Sequence, residues 1–135
     1  MTGMMAIKGK IIVKNLLSKK EWESLDVPDD IINNLVKLPL LYKKPSLIQA
    51  KAIPEIINNR EHNFIFQAMN GSGKTGAYAI PAIMVIDRSL RETQVLIMAS
   101  TRELIRQIMQ VIEAIVVGTG ITVAFGDKDK KDKIS

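Results

Sequence analysis

A chain of 135 residues, 47% hydrophobic and 24% charged, has the size and balance of one globular domain, burying roughly two thirds of its unfolded surface. The net charge of +5 suits an anionic partner, and the absence of cysteine excludes a disulfide framework or a thiolate metal site. The longest apolar run, around "YAIPAIMVI", stops at Asp87, short of the about 18 residues a membrane span needs, and "MTGMMAIKGK" lacks the apolar core of a secretory signal.

Residues 7–20, "IKGKIIVKNLLSKK", mix lysine with aliphatics and read as a short strand or an arm, so that 1–21 form an N-terminal arm. "DVPDDIINNLVKL" carries a helix start, with Asp26 as cap, Pro28 with its φ preset, and Asp29 and Asp30 at the positive end. Ile31, Ile32, Leu35 and Leu38 give that helix one apolar face. "PSLIQAKAIPEIINN" begins a second helix with Ser46 as cap; Pro54 is expected to bend or end it, and Asn58 and Asn59 to close it.

Beyond Asn59 the pattern alternates. "NFIFQA" is a buried-strand candidate, followed by a glycine loop and a helix from about Lys74 to Asp87. "TQVLIMA" is a second apolar strand. "TRELIRQIMQVIEAIVV" is an amphipathic helix with Leu104, Ile108, Val111, Ile112 and Ile115 on one side; Gly118 and Gly120 end it, and "ITVAF" is a third strand. This order predicts a parallel sheet covered by helices. "GDKDKKDKIS" reads as a solvated loop. His62, the one histidine, sits in the polar stretch "NNREHN" and makes no metal site.

The loop "AMNGSGKT", residues 68–75, lies between a buried strand and a helix. A phosphate there needs several backbone N–H groups aimed at one point, and Gly71 and Gly73 permit the required φ angles and close approach. The following helix start adds partial positive charge. Lys74 can set its ammonium between the β- and γ-phosphates, and the Thr75 hydroxyl can ligate Mg²⁺. Ala68 stands where the usual consensus has glycine, at the far end of the loop, where a methyl group can be accommodated. A chance glycine turn explains the glycines but not Lys–Thr directly behind them.

Upstream, "LYKKPSLIQ" offers groups for a base. The Gln49 amide can accept from the adenine amino group and donate to N7, a pairing worth about 1–3 kcal/mol of discrimination. The Tyr42 ring can stack on a base for about 1–3 kcal/mol. Taken singly, a helix glutamine is ordinarily solvated and a tyrosine here ordinarily packs.

Taken in order, "YKKPSLIQ", "AMNGSGKT" and "STREL" resemble the Q motif, the phosphate loop and the first RNA-contacting motif of the DEAD-box ATP-dependent RNA helicases, a likeness running from about Trp22 to Phe125. Alanine at the first loop position is that family's habit. The resemblance implies an α/β fold, a P-loop NTPase (RecA-like) three-layer sandwich with a parallel sheet, here truncated after about three strands. It makes 22–135 a partial first RecA-like domain. It implies that Tyr42 stacks on adenine, that Gln49 reads its edge, and that Trp22, in the neighbourhood of the isolated aromatic accompanying the Q motif, belongs to the ATP site. Met69 and Asn70 would share the ATP loop, with Gly71, Ser72, Gly73, Lys74 and Thr75 holding the phosphates and Thr75 the Mg²⁺. Ser100, Thr101 and Arg102 would contact RNA; a helix opening after a strand end, with a guanidinium beside it, is a sound place for a backbone phosphate. Implied partners are RNA, ATP and a second RecA-like domain, with no membrane, in the cytoplasm or nucleus. The lysine-rich stretch after the third strand is similar to the branch acting with mRNA-export factors at the nuclear pore.

Departures from the family pattern are Ser100 for proline, Met69 and Asn70 in the loop, Ile105 for alanine, and "GDKDKKDK" for the Gly-Gly after the third strand. No "DEAD"-like tetrad occurs: Asp29–Asp30 precede the loop, and Asp127 and Asp129 lie in the charged stretch. The carboxylate pair and the arginine fingers, worth about 10³–10⁵ in rate, are therefore expected to be missing, leaving the chain unable to turn over ATP by itself. A truncated gene model, a split gene or a fragment would have this content, with exposed apolar sheet surface and self-association as the consequence. Alternative readings are a non-catalytic module that binds nucleotide or a partner, and another P-loop ATPase. Replacing Lys74 with alanine should weaken nucleotide binding at least about tenfold, roughly 1.4 kcal/mol, in an equilibrium titration, and an unchanged affinity would refute the phosphate role.

Overall fold

The computed structural model describes residues 2–7, 10–15, 21–67 and 73–126. The chain opens with an antiparallel hairpin of β1 (Thr2–Ile7) and β2 (Lys10–Asn15), registered with Met4 opposite Val13 and Ala6 opposite Ile11. Where a short strand or an arm was expected, the described residues of this stretch form two paired strands. A 3-10 turn at Trp22–Leu25 leads to α1 (Asp29–Val36), and α2 (Leu47–Asn58), α3 (Lys74–Met84) and α4 (Arg102–Val116) follow.

Several helix ends differ from expectation for local reasons. Asp26 does not cap α1; it takes a left-handed φ of 62° and closes the 3-10 turn, while Pro28 at φ −60° leads into the helix. Asp30 supplies the carboxylate instead, its Oδ1 accepting from the Ile31 N–H at 2.9 Å. Because α1 stops at Val36, Leu38 falls off its apolar face and is 73% exposed.

Pro54 neither ends nor breaks α2, which runs on to Asn58 and is closed by Asn59, whose backbone N–H and Nδ2 both donate to the Glu55 carbonyl. An interior proline costs about 3 kcal/mol. Burying Ile48 and Ile53 stabilises by about 1.5–3 kcal/mol each and offsets that loss. At the far end of the chain Leu104 is 41% exposed, so the packed face of α4 is Ile108, Val111, Ile112, Ile115 and Val116.

The main core joins Trp22, Leu25 and Val27 to Ile31 and Leu35 of α1, Ile53 of α2, Ala79, Ile80 and Ile83 of α3, and the buried face of α4. A smaller cluster of Ile48, Ala52 and Ala77 seals α2 against α3. Two polar side chains of α1, one turn apart, hold the end of α4. Asn34, buried, donates through Nδ2 to the carbonyls of Ile115 at 2.7 Å and Val117 at 2.8 Å, two of the acceptors a helix end leaves unpaired. Asp30 receives Arg88 on both carboxylate oxygens, and Arg88 also reaches the Thr119 carbonyl. That guanidinium holds the Asp30 carboxyl below its usual range.

Among the described residues the hairpin is the one strand ladder, so the expected parallel pairing of 63–68, 93–99 and 121–125 is not formed there. The segments nonetheless show a period of two. Phe64 and Phe66 stack with ring centroids 5.7 Å apart while Ile65 between them is 80% exposed. Ile97, Ala99, Ile121 and Val123 pack on the main core, whereas Leu96 and Met98 stand about as exposed as Ile65. Strands of a parallel sheet are ordinarily covered on both faces. Here helices cover one, and the segments lack half of their hydrophobic drive.

Asn34→Leu should destabilise the chain by about 1–3 kcal/mol in urea denaturation, because it removes the donor to the Ile115 carbonyl in a buried bond and to the Val117 carbonyl just past α4; no loss would mean that water satisfies them equally well.

Candidate functional site

The glycine loop meets α3 at Gly73, whose φ of +87° is left-handed and whose place as the residue before the helix sets the direction of the first turn. The first α3 N–H to find a helical carbonyl is that of Ala77, bonding the Gly73 carbonyl at 3.1 Å. The N–H groups of Lys74, Thr75 and Gly76 therefore have no intrahelical acceptor, as at any helix start. Lys74 is exposed and Thr75 half-buried at this end. From Gly73 onward the described chain shows a left-handed glycine directly ahead of a helix. Ala68, Met69, Asn70, Gly71 and Ser72 lie outside the described residues.

Against this helix start lies the N-terminus of α2. Ser46 caps α2 by accepting the Gln49 N–H at 3.3 Å, and the Gln49 side chain returns the bond, its Oε1 accepting the Ser46 N–H at 3.0 Å. This reciprocal capping box was legible in the spacing of Ser46 and Gln49, although the sequence reading took Ser46 alone as the cap. The other end of the Gln49 amide crosses to α3: Nε2 donates to the Gly73 carbonyl at 3.1 Å. That carbonyl thus accepts two donors, one from its own helix and one from α2. Gln49 is 2% exposed. Far from being solvated, its amide bridges the two predicted motifs.

Glycine is required at Gly73 by its backbone conformation. Its φ disfavours any side chain, and an added Cβ would stand 2.6 Å from Gln49 Nε2 and 3.1 Å from Ser46 Oγ.

Tyr42 lies on the connection between α1 and α2, half-buried against the main core. Its N–H donates to the Leu35 carbonyl at 2.6 Å, and its own carbonyl accepts from Trp22 Nε1 at 2.7 Å. Burial pushes the phenol pKa up, so the ring stays neutral at physiological pH. Trp22 is 1% exposed and belongs to the core. Its indole holds the Tyr42 backbone through that hydrogen bond.

At the N-terminus of α4, Thr101 is the cap, its Oγ1 accepting the Leu104 N–H at 3.1 Å. Ser100, Thr101 and Arg102 are all exposed there. Ser100 and Leu104 also border an open, largely apolar cleft of about 590 Å³ with Tyr78, Leu96 and Met98, apart from the Gln49–Gly73 contact. The structure therefore brings Ser46, Gln49 and Gly73 together and ties Trp22 to Tyr42. The α4 start stands separately. Sequence reasoning missed Gly76, over which the Gln49 amide also lies; a glycine inside a helix was its only signal.

The family model for the DEAD/DEAH box helicases matches residues 46–135. The ATP-dependent RNA helicase dbp5 of Schizosaccharomyces pombe is 36% identical over 118 residues, covering 87% of this chain and 23% of that protein. The ATP-dependent RNA helicase FAL1 of Yarrowia lipolytica is 40% identical over 94 residues, covering 70% of this chain and 23% of that protein. The crystal structure of the RNA helicase Prp28 from Chaetomium thermophilum bound to ADP superposes with a TM-score of 0.67 at 26% identity, over 89% of this chain and 30% of that one. This chain thus spans less than a quarter of the length of those two relatives.

Gly73→Ala should destabilise the chain by about 1–3 kcal/mol and displace the Gln49 amide. Thermal denaturation together with the side-chain amide resonances of Gln49 would check this, and a shift in neither would contradict the contact.

Proposed function

Because the chain belongs to the DEAD/DEAH box helicase family, we propose that it supplies ATP- and RNA-binding elements of an RNA helicase whose whole form uses ATP to unwind or remodel RNA. The observation that carries the reading is the Gln49–Gly73 hydrogen bond, which sets a base-reading amide directly against the start of a phosphate-binding helix.

The residues present fit a magnesium nucleotide. A left-handed glycine opens the helix start, the N–H groups of Lys74 and Thr75 follow it with no intrahelical acceptor, and their side chains add an ammonium and a hydroxyl. Lys74 would balance phosphate charge, Thr75 would hold Mg²⁺, and Met69 to Ser72 would complete the loop. The bound nucleotide would supply the phosphoanhydride whose cleavage drives the cycle. Tyr42 would lay its neutral ring on adenine, held in place by Trp22 through its carbonyl, and Gln49 would read the base edge.

Ser100, Thr101 and Arg102 would take an RNA phosphate at the α4 N-terminus, where the helix end carries partial positive charge. With the Thr101 hydroxyl engaged as the cap, its backbone would make that contact. The 135 residues hold no carboxylate tetrad after an apolar strand, so their share of the reaction is binding; hydrolysis calls on that tetrad and on a second RecA-like domain. The lysine-rich stretch that follows "ITVAF" supports the branch that works with mRNA-export factors, in the cytoplasm, the nucleus or at the nuclear pore.

ATP should bind more tightly than GTP, and Gln49→Ala should erase the difference, worth about 1–3 kcal/mol, in competition titrations. Equal affinity of the unaltered protein for both nucleotides would end the adenine assignment.

A further inference from the structure

Gln49 is placed to read a base, yet in this structure its amide is engaged on both ends and closed off from solvent. Oε1 is held by the Ser46 N–H, Nε2 by the Gly73 carbonyl, and the residue is 2% exposed. A base cannot meet the amide in this place; the side chain has to leave it first.

What makes the place available is Gly76. A Cβ on Gly76 would stand 2.5 Å from Gln49 Nε2 and 3.2 Å from its Cδ, with Ile80 Cδ1 next at 3.4 Å. Gly76 lies in the first turn of α3 and is buried. Gly73 is accounted for by its φ of +87°, but no positive φ falls on Gly76. In a right-handed helix glycine is among the poorest residues, so its backbone conformation gives no reason for it. The room it leaves is filled by the Gln49 amide.

We propose that Gly76 is a positioning residue for base recognition: its missing side chain gives the Gln49 amide a resting place on α3, from which the amide is withdrawn when a purine is read. The inference rests on the adenine reading above and adds a competing state to it. A binding-competent conformer that is only partly populated lowers apparent affinity in proportion to its population. The resting contact therefore taxes adenine recognition and leaves phosphate binding alone. A methyl group at position 76 removes the contact cheaply, because the colliding atoms are the far end of a flexible side chain. The Gly73 carbonyl keeps the Ala77 N–H as a partner, and the Ser46 N–H that gives up Gln49 Oε1 lies at a helix start that is only part-buried.

The test is equilibrium binding of ATP and of GTP to the 135-residue chain and to Gly76→Ala, with Gly76→Ser as a second variant carrying the same Cβ. The expected result is ATP affinity higher by roughly three- to tenfold, the range one net hydrogen bond spans, with GTP affinity unchanged. Adding Gln49→Ala to Gly76→Ala should remove the gain. Unchanged or weaker ATP binding in both variants, or a gain shared equally by GTP, overturns the proposal, since the latter would come from α3 itself. Should the unaltered chain not prefer ATP over GTP, the adenine reading fails; a preference that neither variant raises defeats the resting place alone.

Discussion

The junction of α2 and α3 depends on a single side-chain amide. Gln49 closes the capping box of α2 with one end and reaches the carbonyl ahead of α3 with the other. Two helix starts, each with unpaired N–H groups and the same sign of partial charge, are thereby held side by side. Small residues make the approach close. Ala52 and Ala77 meet beneath the amide with Ile48, and Gly73 and Gly76 leave no Cβ in its way. A buried amide in this setting is favourable only while both ends are engaged, since an unpaired polar group away from water costs about 1–3 kcal/mol. The same requirement fixes the rotamer, and with it the line between the two motifs.

The opposite flank is held by α1. Asp30 and Asn34 stand one helical turn apart, where side chains share a face. Between them they take hold of Arg88, the Ile115 and Val117 carbonyls and, through Arg88, the Thr119 carbonyl. The contributions are unequal. Asn34 is buried and its bonds are shielded, whereas the Asp30–Arg88 pair stands more than a third exposed and is worth about 0–1 kcal/mol. Asn34 therefore anchors α4, and Arg88 orients the loop that follows it. With α4 fixed at its C-terminal end and along its apolar face, its N-terminus at Thr101 and Arg102 is held at a set angle to α3.

Much of this was readable in the chain itself. Four helices were expected, and the positions of Ser46, Asn59, Lys74 and Gly118 marked their limits. The phosphate-loop reading came from Lys74 and Thr75 following glycines between an apolar run and a helix, a pattern set by local chemistry. What escaped was non-local. Pro54 looked like a breaker because its cost is local, while the burial of Ile48 and Ile53 that outweighs it requires α3 and the core. Trp22 looked like a ligand contact by resemblance, and only packing showed that its indole works on the Tyr42 carbonyl. The apolar segments around Ile65, Leu96 and Met98 read as strands of a parallel sheet with apolar surface left exposed; the exposure is there, but among the described residues the ladder between them is not.

The order of the motifs, the helix faces and the chemistry available at the start of α3 follow from residue type and from spacings of a few positions, and are legible before the chain folds. Tertiary structure alone decided that Gln49 would be buried rather than solvated and that Asn34 would hold a helix end 81 residues away. It also decided that Gly76 would matter for what lies over it rather than for its backbone. Those outcomes depend on which surfaces meet, and a polar side chain takes its role from the partner that burial forces upon it.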